Sequence, residues 1–147
     1  MQDLIEMRII EAVRGLLAGR ANEVLGDWQF MIPIFEFSDF QSMTAVVPVF
    51  TLTDCERTEK ERIIFLDAYT LTITFALQET ADSELFCYAY GAAVCKALRE
   101  NPTLGGVADR VTVSGKKYIP PKKAGCGQEW EIVITLRITV ETMSNEQ

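Results

Sequence analysis

The stretch ENPTLGGVADRVTVSGK, residues 100–116, decides the fold, because it ends a helix, reverses the chain and starts a strand. Pro102 disfavours helical geometry in the residue before it, so the preceding helix should end at Asn101. The pair Gly105 and Gly106 lets the chain reverse without steric strain at a Cβ atom. The residues that follow alternate apolar and polar side chains, as in a β-strand. We therefore predict a hinge between a helix and a strand.

The same stretch contains the glycine, serine and lysine that phosphate-binding loops use. A P-loop carries a glycine, four further residues and then Gly-Lys-Ser/Thr, and it follows a strand and precedes a helix. Counting back from Gly115 and Lys116, Arg110 occupies the position of the first glycine, and Lys117 occupies that of the Ser/Thr. The helix and the strand also come in the opposite order. No nucleotide-binding loop is predicted here.

Length and composition indicate one globular domain. The chain has 147 residues, of which 48% are hydrophobic and 24% are charged, as in ordinary globular proteins. Its apolar runs are much shorter than the roughly 18 residues that a membrane span needs. The acidic N-terminal segment predicts no signal peptide. We expect a single domain over residues 1–147, with a frayed tail at about 142–147.

The net charge of −7 and a pI of about 4.6 argue against a surface that grips nucleic acid by neutralising phosphates. Two interpretations of the acidic surface remain. It can simply aid solubility, or it can line a passage through which DNA moves without sticking, because like charges repel.

The sequence contains no recognisable catalytic or metal-binding pattern. It has four cysteines and no histidine, so Ser–His–Asp and Cys–His arrangements are impossible. The cysteines form no CxxC pair, which argues against a zinc site. Cys126, in AGCGQ, has no imidazole base to activate its thiol. We predict that the protein is not an enzyme and has no catalytic residue, no metal and no cofactor.

The hydrophobic periodicity predicts two helices and four strands in the order α-β-β-α-β-β. Residues 2–17 and 82–99 carry the helical pattern, with Gly19 as a stop signal after the first helix. Strands joined by hairpins predict a mostly antiparallel sheet with the two helices packed on one face, an α+β fold. Alternation in the strands places five side chains beneath the helices: Ile73, Phe75, Ile134, Leu136 and Ile138. Along the second helix, the expected buried side includes Leu85, Ala89, Ala92, Ala93 and Leu98.

Residues 27–44 are unusually aromatic. Trp28, Phe30, Phe35, Phe37 and Phe40 crowd into a short segment that Pro33 interrupts. The rings belong either to the core of the domain or to an apolar surface that a partner covers. We retain Trp28, Phe30, Phe35 and Phe37 as candidate subunit-interface residues.

The connector DCERTEKER, residues 54–62, lies between a strand predicted at 46–53 and one predicted at 63–77. Its mixed charges and lack of glycine predict a long, solvated hairpin tip. Mixed charges suit the setting of register between subunits, so Glu56, Arg57, Glu59 and Lys60 are further interface candidates. The basic stretch KKYIPPKK, residues 116–123, is interpreted as a solvated loop or as a contact for phosphate or an acidic partner.

Taken together, the N-terminal helix, the hairpin with a charged tip, the helix ending in ENPTLGGVADRVTVSG and the closing strand EWEIVITLRITV resemble the tail-terminator (tail-completion) proteins of long-tailed bacteriophages and prophages. The resemblance covers the order of elements over nearly the whole chain. Its most specific part is the hinge NPTLGG, with the D-R-V that follows.

The resemblance implies a structural function in virion assembly. Proteins of this family form a ring, usually a hexamer, on the head-proximal end of the tail tube. The ring ends polymerisation of the tube and presents a docking surface to the head. The implied partners are other copies of the chain, the tail tube protein and a head-completion or connector protein, and DNA passes through without specific binding. The implied location is the host bacterial cytoplasm during assembly and then the tail of the virion. Two alternatives stay open: another phage neck or tail component, and a small α+β module that binds a ligand or peptide.

Overall fold

The computed structural model describes residues 4–30, 34–35, 45–46, 48–78, 82–122 and 129–143. The helical elements are α1 (Ile5–Leu16), a π-helical segment (Leu17–Ala21), α2 (Asn22–Asp27), α3 (Ser83–Glu100) and a 3₁₀ turn (Leu104–Gly106). The strands are β1 (Ile34–Phe35), β2 (Ala45–Val46), β3 (Val49–Glu59), β4 (Ile64–Gln78), β5 (Arg110–Ile119) and β6 (Glu129–Met143). Cys126 and Phe37 lie outside the described residues.

The main sheet has four strands in the order β3-β4-β6-β5, and every neighbouring pair is antiparallel. Strands β1 and β2 form a separate short parallel pair. The helices pack on one face of the main sheet, so the predicted α+β fold is confirmed. The predicted order α-β-β-α-β-β holds for α1, α3 and the four strands of this sheet, and α2, β1 and β2 are additional elements. Because each neighbour reverses direction, the two edge strands β3 and β5 run in opposite directions.

The core lies between the helices and one face of the sheet. From Asp67 to Leu77 of β4 and from Ile132 to Thr142 of β6, every second side chain is buried, as a half-covered sheet requires. The five side chains predicted to be buried are all at most 2% exposed, which confirms the register: Ile73, Phe75, Ile134, Leu136 and Ile138. Phe75 meets Tyr90 of α3 edge to face, with 5.8 Å between ring centroids.

The opposite face of the sheet carries mainly threonine, and we call it the outer face. Its half-buried side chains on the central strands are Thr70, Thr72, Thr74, Val133, Thr135 and Thr139. Arg137 is exposed in the middle of this face, on β6, opposite Thr70. No helix among the described residues covers it. The sheet is therefore apolar on one side and polar on the other.

The first helix does not stop at Gly19, so that expectation is wrong. Instead the chain widens into the π-helical segment and continues as α2. Six of the seven buried residues in this region form a stripe that explains the widening, with Val24 beside it: Ile5, Ile9, Val13, Leu17, Ala21 and Leu25. They are spaced by four, whereas an α-helix has 3.6 residues per turn, so a straight helix would rotate this stripe away from the sheet. The wider turns of the π-helical segment bring the stripe back.

Helix α3 begins and ends as predicted, but part of its buried face is different. Leu85 is 57% exposed and Ala92 is exposed, which corrects the expectation for these two residues. The side that packs against the sheet includes Cys87, Tyr90 and Val94. An aromatic ring in the middle of the helix fills the space above the sheet that the small alanines cannot fill.

Gly91 of α3 is buried against Tyr118 of β5, and a Cβ atom at this position would overlap the Tyr118 hydroxyl. Elsewhere in a helix, replacing glycine with alanine gains about 0.5–1 kcal/mol. We expect Gly91→Ala to lower the free energy of unfolding instead, because the overlap outweighs this gain. Gly15→Ala in α1, where nothing lies within 4 Å, should raise it. Thermal melting of both variants checks the pair.

The rescue variant is Gly91→Ala with Tyr118→Phe, which removes the overlapping hydroxyl. We expect Gly91→Ala to destabilise the Tyr118→Phe protein less than it destabilises the wild type. Part of the loss should remain, because the ring carbon Cζ still lies 3.1 Å from the added Cβ atom. Equal stabilisation by the alanine at both glycines would show that α3 and β5 are not in close contact here.

The chain reverses at Gly105 and Gly106, as predicted. Their φ angles of 68° and 94° lie in the left-handed region, which favours glycine. The strand predicted at 46–53 is wrong in its bounds, because β3 runs from Val49 to Glu59 and takes up most of the connector that was expected to be a hairpin tip. At the other end, β6 continues to Met143, and Thr142 is buried, so residues 142–143 are not frayed.

Candidate subunit interface

The aromatic candidates fall into two groups. Trp28, just after α2, is 42% exposed. Phe30 packs against the core and meets Phe86 of α3 edge to face, at 5.5 Å between centroids. Trp28 is thus available to a partner, whereas Phe30 is used largely within its own chain. The side chain of Phe35 lies outside the described residues.

The hairpin candidates lie on an arm formed by the far ends of β3 and β4. Residues 53–63 are exposed throughout. The reversal itself is short, and the backbone N–H of Lys60 donates to the carbonyl of Ile64 at 2.9 Å. Glu56 and Glu59 point into solvent, while the ammonium of Lys60 contacts Glu141 of β6 at 2.8 Å.

Arg57 differs from the other hairpin candidates, because it pairs with a buried acid of its own chain. Its guanidinium donates to both carboxylate oxygens of Asp67, at 2.7 and 2.8 Å. Asp67 is fully buried and also accepts a hydrogen bond from the Thr142 hydroxyl at 3.2 Å. The guanidinium lies 4.6 Å from the ring centroid of Phe65, a cation–π contact.

The pairing has clear electrostatic consequences. The hydrogen bond from Arg57 lowers the pKa of Asp67, and the same bond raises the pKa of Arg57. Both groups therefore stay charged across the physiological range. Nearby, burial and then a hydrogen bond to Glu6 of α1 raise the pKa of Tyr69, whose hydroxyl donates to Glu6 at 2.9 Å. The contacts of Asp67 with Arg57 and Thr142 join the arm to β6, and the bond from Tyr69 to Glu6 joins β4 to the start of α1.

Both edges of the main sheet are open to another strand. In the part of the chain that the structure describes, no strand pairs with the free side of β3 or of β5. The sequence predicted a strand at Val111 and Val113 but not its place at an edge of the sheet. The interpretation of residues 116–123 as a solvated loop is wrong for 116–119, because β5 continues through Lys116 and Lys117 to Ile119. The exposed side chains of these two lysines, with that of Arg110, make β5 a basic edge.

A cavity of about 290 Å³ lies beside β5, between the strand and the last turns of α3. Its lining includes Leu98, Val111 and Val113, with Arg99 and Arg110 at its polar part. Cys95 also borders it, and burial raises the pKa of its thiol, so this thiol is a poor nucleophile. The cavity suits an incoming apolar side chain, and its two arginines suit a carboxylate of the same partner.

Among the described residues, no group of three or more His, Cys, Asp or Glu side chains is placed to hold a metal ion. None of the helices described has the length and apolar character needed to cross a membrane. No protein-family model matches this chain, and comparison with curated protein sequences finds no match.

Proposed function

We propose that this chain is a structural protein of a phage or prophage tail. It forms a ring that caps the tail tube, ends polymerisation of the tube and presents the docking surface for the head. The observation that carries the proposal is the main sheet: among the residues that the structure describes, no further strand pairs with either of its edges, and helices cover one of its faces. Together with the sequence resemblance, this geometry supports assembly of identical subunits around a passage.

The direction of the edge strands suits head-to-tail assembly, of which a closed ring is one form. A cyclic assembly joins one surface of a subunit to a different surface of the next. Since β3 and β5 run in opposite directions, β3 of one subunit can pair with β5 of the next in the antiparallel manner that the rest of the sheet uses. The joined sheet would keep all helices on one side and the polar outer face on the other.

The oligomeric state and tube capping test this proposal. Light scattering of the purified protein should give a mass near six times the 16.5 kDa of one chain, and negative-stain images should show rings. Added to tail tube subunits during polymerisation, the protein should shorten the tubes and be found at one end of each. A strict monomer at high concentration, or tubes of unchanged length, would contradict the proposal.

One observation favours a second candidate, a module that binds a peptide. The cavity beside β5 borders an open strand edge, and peptides often bind by adding a strand while a pocket receives a side chain. Two results together would favour this candidate over the ring. The protein would be monomeric, and the backbone amides of β5 would exchange hydrogen more slowly after a peptide is added.

A further inference from the structure

The two edges of the main sheet carry opposite and uncompensated charge. On β3, Asp54, Glu56 and Glu59 have no ion pair within the described part of the chain, and the one base of this strand, Arg57, is occupied by Asp67. On β5, the charged residues are all basic, and none of them has an ion pair among the described residues: Arg110, Lys116 and Lys117.

The register of the sheet places some of these charges at the same level. Glu56 is opposite Ala68, Ala68 is opposite Thr139, and Thr139 is opposite Arg110. A line drawn straight across the sheet therefore begins at Glu56 and ends at Arg110. Both side chains belong to the outer face, and Asp54 lies two residues from Glu56 on that face.

We propose that the chain associates with copies of itself by antiparallel pairing of β3 in one subunit with β5 in the next, so that Arg110 of one subunit lies beside Glu56 and Asp54 of its neighbour. This inference rests on the proposed ring and names its interface. Residues directly opposite on antiparallel strands interact, and opposite charges there are stabilising.

The charges also disfavour the symmetric alternatives. Pairing of β3 with a second β3 would bring carboxylates together, and pairing of β5 with a second β5 would bring cations together. Like charges placed opposite each other destabilise a strand pair. Only the head-to-tail pairing joins unlike edges, and it is the kind of contact from which rings are built.

The cavity beside β5 fits the same register. On the helix side of the sheet, Leu52 of β3 is level with Val113, and Cys55 is level with Val111. In the proposed pairing these two side chains of a neighbour therefore reach the mouth of the cavity. Their burial there would add an apolar contribution to the charge contact.

A charge exchange tests the interface. Arg110→Glu and Glu56→Lys should each weaken association by at least about tenfold, since each places like charges opposite each other at every contact. An equimolar mixture of the two variants should assemble again in a ring in which they alternate. Each contact there joins either Glu56 to Arg110, as in the wild type, or the introduced lysine to the introduced glutamate. The double variant should assemble on its own. Sedimentation velocity over a concentration series measures all four samples.

Matched controls carry the same charge changes away from the edges. Arg137 and Glu131 are exposed side chains on the central strand β6. The variants Arg137→Glu and Glu131→Lys should associate like the wild type. Thermal melting checks that each single variant folds, and recovery on mixing requires folded chains.

The outcomes separate the two proposals. A monomeric wild type overturns the ring and this interface together. An oligomeric wild type with unaffected edge variants, or single variants that fail to recover when mixed, overturns the edge pairing and leaves the ring standing.

Discussion

Replacing Arg57 with alanine is expected to lower the free energy of unfolding by about 3 kcal/mol, because it leaves the Asp67 carboxylate buried without its counter-ion. The value belongs at the lower end of the range for buried pairs, since the Arg57 side chain is 40% exposed while that of Asp67 is 1% exposed. Urea denaturation at neutral pH measures the loss.

Two further variants show whether the cause is the unpaired charge. Asp67→Leu in the Arg57→Leu background should recover most of the stability, because removing both partners leaves no buried charge. Lys60→Ala, which removes the neighbouring exposed pair with Glu141, should cost less than about 1 kcal/mol. Equal losses for Arg57→Ala and Lys60→Ala would show that Asp67 is solvated.

The effect of the Arg57 substitution should depend on pH. Because the pKa of Asp67 is lowered in the folded state, the pair stabilises the protein above the unfolded pKa of about 3.9 and loses this contribution as the pH falls through the folded pKa. In Arg57→Ala, burial favours the protonated form of Asp67, and of the two hydrogen-bond partners only Thr142 still favours the charged form. The difference between wild type and variant should therefore narrow from about pH 7 to about pH 3.5.

Replacing Phe75 with alanine should cost about 4 kcal/mol of folding stability. The ring is 2% exposed and contacts Tyr90 of α3, so its removal leaves a cavity between the sheet and the helix. The measurement is again urea denaturation, with circular dichroism to confirm that the variant folds at low temperature.

Thr74→Ala is the matched control for this substitution. Thr74 is the neighbouring residue on β4, and its side chain lies on the outer face. We expect it to change stability by less than about 1 kcal/mol. If Thr74→Ala were the more damaging of the two, the assignment of the faces of β4 would be reversed.

The sequence predicted those parts of the fold that depend on local signals. Strict alternation on β4 and β6 was enough to select Ile73 and Ile134 as core residues, because a strand covered on one face has a period of two. The hinge was equally readable, since Pro102 and the two glycines act through their own backbone geometry.

The remaining features depend on contacts between distant residues. Asp67 looks like any surface acid in the sequence, and its burial follows from the reach of Arg57 across the hairpin and of Thr142 from β6. The exposure of Leu85 could not be predicted either, because the buried side of α3 is chosen by the sheet beneath it. The charge of β5 was visible in the sequence, but its position at an open edge required the order of the strands.

The π-helical segment has a consequence for comparing this chain with any homologue. A relative that runs through the same region as a plain α-helix would need one residue fewer to bring its later turns to the same side of the sheet. Its alignment with this chain should then contain a one-residue gap within Leu17–Ala21. Arg20 reaches Glu100 at 2.7 Å from this segment. A gap that falls at Arg20 would therefore also remove the ion pair that joins the first helix to the end of α3.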